Sequence, residues 1–196
     1  MTTSHRRKKP IETPLSLLVF STDLGWMAVV LAGDVVQQFV FGHRSAAAAK
    51  KALDQRLLEH AEPGKRNEPL VRRLQKYASG TPDPLHDIPV DLGPVSDFQR
   101  RVLQQCRRIP YGQTMSYGEL AARAGSPGAA RAVGNCMARN RIPLLIPCHR
   151  VVCADGRLGF YSAPGGTSMK RRLLAMESHG IDLELNSDTR QNTAAL

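Results

Sequence analysis

The sequence lacks any run of about 18 apolar residues, so it contains no candidate for a transmembrane helix. The basic segment at its start is not followed by the apolar stretch typical of a signal peptide, and we therefore expect a cytoplasmic protein. Apolar residues are not scarce overall, since 42% of the chain is hydrophobic. That share is enough for a packed core and excludes a generally disordered protein.

Cysteine is absent from the first half of the chain, and the second half has no CxxC pair. No spacing of Cys and His resembles a zinc finger, so we expect no metal ion, and nothing in the sequence indicates a cofactor. We interpret Cys106, Cys136 and Cys153 as small buried thiols without reactivity. The fourth cysteine, Cys148, is followed by a histidine and an arginine and is a candidate nucleophile.

Acidic residues are scarce in one region. The chain has 27 Lys and Arg against 17 Asp and Glu, a net charge of +10. Residues 96–180 hold 13 basic and 4 acidic side chains, whereas residues 5–95 hold 13 and 10. This concentration of positive charge is typical of a protein that binds a polyanion such as nucleic acid. The alternative is a basic surface that only keeps the protein soluble.

The first half predicts a small domain, residues 14–93, after a disordered basic arm at 1–13. Apolar runs rich in β-formers are separated by turn signals at Thr22–Gly25 and Ala32–Asp34, which predicts a three-stranded antiparallel sheet. Two helices should follow, in "SAAAAKKALDQRLLEHA" and "EPLVRRLQKYA". The Pro-rich stretch from Gly80 to Gly93 reads as a linker.

The second half predicts a mostly helical domain, residues 94–182, before a flexible tail at 183–196. A capping box of Ser96 and Gln99 should open its first helix, and a second box of Ser116 and Glu119 another that ends at Gly125. Ser126 and Pro127 then predict the start of a further helix, which completes a helix-turn-helix. A last helix should span Thr167–Ser178. The fold class is therefore α/β, of the α+β type.

The second helix of this pair, "PGAARAVGNCMARN", has an unusual face for a DNA reader. A helix that reads the major groove presents Arg, Asn, Gln or Ser to the bases. This one presents small residues around a single long side chain, Arg131, which suits the minor groove and allows the arginine to enter the base stack as a wedge. The alternative is that Ala and Gly permit close packing on the core. The small residues are Ala129, Ala130, Ala132 and Gly134.

The stretch "RIPLLIPCHRVV", residues 141–152, joins an apolar run to Cys148 and His149. A thiol reacts as its thiolate, whose formation a nearby base favours. Neighbouring residues of an extended strand point to opposite faces, so either the chain bends here or a water bridges sulfur and imidazole. Of the acidic residues in this half, Glu177 is the best partner for His149, because Glu119 caps a helix and Asp155 lies in a turn. The alternative is an inert buried cysteine beside a surface histidine.

With these residues in view, the region from Pro94 to Gly180 resembles the O6-alkylguanine-DNA alkyltransferases, also called methylated-DNA–protein-cysteine methyltransferases. The segments that carry the resemblance are "IPCHRVV", "GQTMSYGELAARAGSPGAARAVGN", the "RN" before "RIPLLIPCHR", "GFYS" and "KRRLLAMES". The first half resembles the family's N-terminal domain only through its sheet and the helices after it.

The resemblance implies a repair protein that binds double-stranded DNA as a monomer, flips out O6-alkylguanine and transfers the alkyl group irreversibly to Cys148. O4-alkylthymine would be a poorer substrate, and the protein would act in the cytoplasm at the nucleoid, or in the nucleus of a eukaryote. It implies that His149 is the base and that Glu177 orients it. It also implies that Asn140 joins the helix pair to the reactive segment. On the DNA side, Tyr117 would rotate the nucleotide and protonate guanine, and Arg131 would fill the place in the base stack that the nucleotide leaves. In the pocket, Val151 and Ser162 would contact the guanine through their backbone, and Tyr161 and Pro143 would form the walls.

Two other classes of protein remain open. A non-catalytic sensor of alkylated DNA would have lost the thiol or the histidine, and this sequence has both. A cysteine hydrolase would use Cys148, His149 and Glu177 through a thioester that turns over. Such a hydrolase would have no use for a basic helix-turn-helix with an alanine face.

Overall fold

The computed structural model describes residues 13–64 and 68–178. The first half forms a four-stranded sheet whose strand order is β3-β2-β1-β4. Three strands pair antiparallel as expected, with turns at residues 23–24 and 33–34, but a fourth short strand pairs parallel to β1 and was not predicted. The strands are β1 (Leu15–Thr22), β2 (Gly25–Ala32), β3 (Val35–His43) and β4 (Ala61–Pro63).

The single helix expected after the sheet is two helices, α1 (Ala46–Lys51) and α2 (Gln55–Leu58). The break comes at Asp54, whose side chain accepts a hydrogen bond from the Arg56 amide and so caps α2. Helix α3 (Glu68–Ala78) lies where it was predicted. The stretch expected to be a linker has no regular helix or strand, yet Leu85 and Ile88 within it are buried.

The second half contains four helices and a two-stranded parallel sheet among the described residues. At the start of helix α4 (Asp97–Arg107), the Gln99 amide donates a hydrogen bond to the Ser96 side chain. This is only one half of the predicted capping box. Helix α5 (Tyr117–Arg123) has both halves of its box. The remaining elements are α6 (Ala130–Ala138), α7 (Gly166–Glu177), β5 (Met115–Ser116) and β6 (Val151–Val152).

The prediction that Ser126 and Pro127 open the second helix of the pair is wrong. Helix α6 begins at Ala130 with no side-chain cap, and Ala129 stands just before it. Ser126 instead belongs to a turn, in which its amide donates to Ala121 O and its carbonyl accepts from the Ala129 amide. Helices α5 and α6 therefore pack as a pair across a longer turn than expected.

One large core joins the two halves of the molecule. It includes Phe39 and Phe41 of β3 together with Leu144 and Leu145 of the segment before Cys148. Backbone hydrogen bonds cross the junction as well, since the Phe39 amide donates to Arg141 O at 3.0 Å. The sheet thus supports the segment that leads to Cys148.

Within the described residues, no helix is long and apolar enough to cross a membrane. The predicted basic arm and the predicted tail lie outside those residues, apart from residue 13 at the end of the arm. The domain boundaries at 93–94 and 182–183 stay predictions.

Candidate active site

Cys148 begins a single 3-10 turn, Cys148–Arg150, so the chain bends where sequence alone left a bend or an extended path open. The turn follows from Pro147, which precedes it, and from a hydrogen bond between the Arg150 amide and Pro147 O at 2.9 Å. His149 and Arg150 are buried together with Glu177 of α7, and Cys148 lines two cavities.

Asn140, just past the end of α6, holds the segment that precedes the turn. Its side-chain amide donates to Ile146 O at 2.8 Å and to the Cys148 sulfur at 3.1 Å. Its side-chain oxygen accepts from the Ile142 amide at 3.1 Å. Leu144, between these contacts, has a positive φ of 66°, a conformation that non-glycine residues rarely adopt. The side chain of Asn140 therefore holds the conformation of the segment that positions the Cys148 thiol.

Glu177 is the centre of a buried network of hydrogen bonds. It accepts from His149 Nε2 at 2.9 Å and from Arg150 through both Nε and Nη2 at 2.8 Å. The Tyr77 hydroxyl, from α3 in the first half, donates to the same carboxylate, and the Gly112 amide lies 3.4 Å from it. Arg150 also donates to Ile109 O at 2.7 Å. Buried charges are tolerated when they are paired and hydrogen-bonded in this way.

The network sets the protonation states of its members. Burial tends to raise the pKa of Glu177, but the hydrogen bonds from His149 and Arg150 hold it well below its usual range, so the carboxylate is ionised. Burial lowers the pKa of His149 below 6.5 in spite of the carboxylate, so the imidazole is neutral near pH 7. With Nε2–H donating to Glu177, the lone pair lies on Nδ1, a buried atom that has no hydrogen-bond partner among the described residues.

The resting sulfur is a thiol. Burial raises the pKa of Cys148, and the hydrogen bond from Asn140 and the charge of Lys170 only partly oppose this effect. Lys170 is itself buried, which lowers its pKa to about 8, and it donates to Val151 O and Leu158 O. The thiol therefore needs a base before it can react.

Two cavities meet at Cys148. One, of about 530 Å³, opens beside α6, and the other, of about 440 Å³, opens toward β3. Tyr161 and Ser162 line both, and the Tyr161 hydroxyl is buried without a hydrogen bond to a described residue, although it is close enough to affect the Cys148 pKa. The first cavity also contacts Tyr117, Arg131 and Gly134, and the second contacts Asn140 and Pro143.

Most residues predicted for the site line one of these cavities or belong to the Glu177 network, and four do neither: Ala129, Ala130, Ala132 and Val151. Val151 is buried and lines neither cavity. Its amide donates to Cys148 O and its carbonyl accepts from Lys170, so its backbone polar groups already have partners in the protein. On α6, Arg131 and Ala132 are exposed, while Ala130 and Gly134 are half-buried, as is Ala129 before the helix.

Three buried residues of the site were not predicted to be functional: Tyr77 and Arg150 of the Glu177 network, and Lys170 beside Cys148. Arg150 directly follows Cys148 and His149 in the sequence, but a charged side chain is expected at the surface unless a partner for it is known. Tyr77 carries no local signal, since it sits in an ordinary amphipathic helix, and Lys170 opens the segment "KRRLLAMES" of the resemblance without any role implied for it. The exclusion of other acids was right, because Glu119 caps α5 and Asp155 pairs with Arg157.

Comparison with protein families and structures is consistent with this geometry. The family model for the DNA-binding domain of 6-O-methylguanine DNA methyltransferase matches residues 97–179. Proteins named methylated-DNA--protein-cysteine methyltransferase are 52% identical over 107 residues in Mycolicibacterium paratuberculosis and 44% identical over 108 residues in Methanopyrus kandleri. Each match covers 55% of this chain. It covers 62% of the first relative and 78% of the second.

The fold is similar to that of Mycobacterium tuberculosis OGT in complex with DNA. The TM-score is 0.70 at 34% identity, over 83% of this chain and 92% of that one. The O6-methylguanine-DNA methyltransferase of Pyrococcus kodakaraensis gives a TM-score of 0.62 at 27% identity, over 83% and 98% of the two chains. By sequence and by structure, the chain belongs to the methylated-DNA–protein-cysteine methyltransferase family.

Proposed function

We propose that the protein removes an alkyl group from O6 of guanine in double-stranded DNA and keeps it on the sulfur of Cys148. The observation that carries the proposal is the position of this sulfur. It lies at the meeting point of two cavities, next to a buried His149–Glu177 pair and beside the exposed face of α6. The names of the relatives and the DNA complex of a similar structure support the same reaction.

The reaction begins with transfer of the thiol proton. His149 is neutral and holds its lone pair on Nδ1, so it can accept the Cys148 proton, and a bridging water provides the path. Glu177 then stabilises the imidazolium through its bond to Nε2. The amide of Asn140 and the ammonium of Lys170 stabilise the thiolate that remains.

The thiolate next attacks the alkyl carbon. The sulfur–carbon bond forms as the carbon–O6 bond breaks, and guanine leaves with the bonding electrons and takes up a proton. Tyr117 lines the cavity beside α6 and is placed to supply that proton. Burial raises its pKa to about 12, so the hydroxyl is protonated before the transfer. The proton that Cys148 lost replaces it, so the reaction exchanges a thiol and an alkylguanine for a thioether and a guanine. Water does not attack an unactivated thioether, so the protein acts once.

A base inside a duplex cannot reach this buried sulfur, so the nucleotide must leave the stack at a cost of roughly a few kcal/mol. The exposed, small-residue face of α6 can approach the minor groove closely, and Arg131 can fill the space that the nucleotide leaves. The cavity beside α6 then receives the guanine between Tyr117 and Tyr161. Alignment of sulfur, carbon and O6 is the main contribution of the pocket.

Intact-mass measurement tests this function. After incubation with a duplex oligonucleotide containing O6-methylguanine, we expect the protein to gain one methyl group, stably and stoichiometrically. Cys148→Ala should bind the duplex and gain nothing. A wild-type protein that binds the duplex without a mass change would instead be a damage sensor, and one that turns over without retaining a group would be a hydrolase.

A further inference from the structure

Tyr77 belongs to the first half of the chain but touches the reacting network of the second. It lies in the last turn of α3, and its hydroxyl donates to Oε1 of Glu177, which follows it by 100 positions in the sequence. The same oxygen atom of Tyr77 lies 3.5 Å from His149 Nε2. The side chain has no exposed surface, and its ring packs edge-on against Tyr111 with centroids 6.1 Å apart. Among the described residues, no other hydrogen bond from the first half reaches Glu177.

We propose that Tyr77 is a positioning residue of the reacting site, which holds the Glu177 carboxylate against His149 and limits how strongly that pair binds a proton. The first half of the chain thereby influences the proton transfer and is more than a support for the segment that leads to Cys148. Burial and the nearby carboxylate raise the pKa of Tyr77 well above its usual value, so the hydroxyl keeps its proton and remains a donor.

The argument rests on how one oxygen atom is shared. Glu177 Oε1 accepts hydrogen bonds from His149 Nε2, from Arg150 Nη2 and from the Tyr77 hydroxyl. Each donor draws electron density from the oxygen and weakens its hold on the other two. Without the hydroxyl, Oε1 would attract the His149 N–H more strongly, and the His149–Glu177 pair would bind a proton more tightly. The imidazole would then become protonated at a higher pH.

The other charged and titratable groups around this pair are known and would stay in place. Arg150 comes from the 3-10 turn, Lys170 from the same helix as Glu177, Tyr111 from the loop after α4, and Tyr161 from the segment before α7. Cys148 precedes His149 in the turn. Tyr77→Phe keeps the ring and removes only the hydroxyl, so its effect reports what this one group does to the His149–Glu177 pair.

The direct test is an NMR titration of the His149 imidazole in the full chain. The signal is assigned by its loss in His149→Gln. We expect Tyr77→Phe to raise the midpoint of this titration by at least about half a pH unit. Tyr111→Phe is the matched control, since it removes a neighbouring hydroxyl that donates to Met176 O at 3.5 Å and makes no hydrogen bond to Glu177. An unmoved midpoint in Tyr77→Phe, or an equal shift in both variants, would overturn the proposal.

A second variant guards against a failure to fold. Replacing Tyr77 with 3-fluorotyrosine keeps the hydroxyl and makes it a stronger donor, so the His149 midpoint should move in the opposite direction, to lower pH. A tyrosine that only fills the core would produce no such reversal. If the fluorinated protein titrates like the wild type, Tyr77 does not act on the pair.

The kinetic consequence rests on the proposed alkyl transfer. His149 must be neutral to accept the Cys148 proton, so the rate of methyl gain should fall at low pH, and this fall should begin at higher pH in Tyr77→Phe than in wild type or Tyr111→Phe. A shift in the NMR midpoint without any methyl gain in the wild type would retain the role of Tyr77 and reject the proposed function. A shifted midpoint with an unchanged rate profile would reject the kinetic role.

Discussion

The two sides of Cys148 have opposite character. On one side, His149, Arg150 and Glu177 are nearly inaccessible to water, and the carboxylate accepts hydrogen bonds from several donors. On the other side, α6 exposes Arg131 and Ala132 beside an open cavity. The buried side depends on exact partners, because an unpaired polar group in the core costs several kcal/mol. The exposed side depends on shape and charge, which tolerate more variation. Removing one group should therefore have a large effect on the first side and a graded effect on the second.

The largest loss of stability is expected for Glu177→Gln. It leaves the Arg150 guanidinium buried without its counter-charge, which should lower the free energy of unfolding by about 3–5 kcal/mol. Urea denaturation at pH 7 measures the loss. Asp155→Asn is the matched control, because it breaks an exposed pair with Arg157 and should change stability little. Equal losses in the two variants would contradict the contrast between buried and exposed sides.

The buried side should also determine part of the pH dependence of stability. The pKa of His149 is lowered in the folded protein, so the unfolded chain binds a proton that the native state does not. Stability should therefore fall as the pH drops through the unfolded value of 6.5, and His149→Gln should lack this part of the loss. Glu177, whose pKa is also lowered, adds a further loss at more acidic pH. Urea denaturation of the wild type and His149→Gln from about pH 8 to about pH 5, on either side of the unfolded pKa, measures the difference. Parallel curves would show that His149 is not buried as a neutral group.

On the exposed side, Arg131→Ala should reduce methyl transfer from duplex DNA by about tenfold, since the wedge that offsets the cost of flipping is lost. Transfer from free O6-benzylguanine to Cys148 should be unchanged, because no duplex must be opened. Lys76→Ala removes the same charge from the exposed surface of α3 and serves as control. If both reactions fall equally in Arg131→Ala, the residue acts on the pocket and is no wedge.

The smallest effect should come from the cap that begins α5. Ser116→Ala removes the hydrogen bond that the Glu119 amide donates to the Ser116 hydroxyl oxygen, which should cost about 1 kcal/mol in stability. Ser168, an exposed residue of α7, offers a control whose replacement by Ala should change stability by less than about 0.5 kcal/mol. Thermal unfolding of both variants measures the difference. A loss as large as that of Glu177→Gln would mean that α5 is as tightly constrained as the buried network.

Local sequence predicted the elements whose signals are local. The turns before Gly25 and after Ala32 indicated the antiparallel strands, and Ser116 with Glu119 indicated the start of α5. Where a signal was ambiguous, the prediction was wrong. Ser126 and Pro127 form a turn instead of a helix start, and Asp54 interrupts what reads as one helix because its side chain can cap the second part.

The sequence by itself determined the three antiparallel strands of the sheet, the candidate pair Cys148–His149, and Glu177 as the acid best placed by elimination. It did so because helix caps, turns and the motif are contained within a few residues. Only the tertiary structure decided that Arg150 turns inward to Glu177, that Lys170 binds the carbonyl groups of Val151 and Leu158, and that Tyr77 reaches across from the first half. Burial of a polar side chain depends on partners brought from distant parts of the chain, and no local pattern records them.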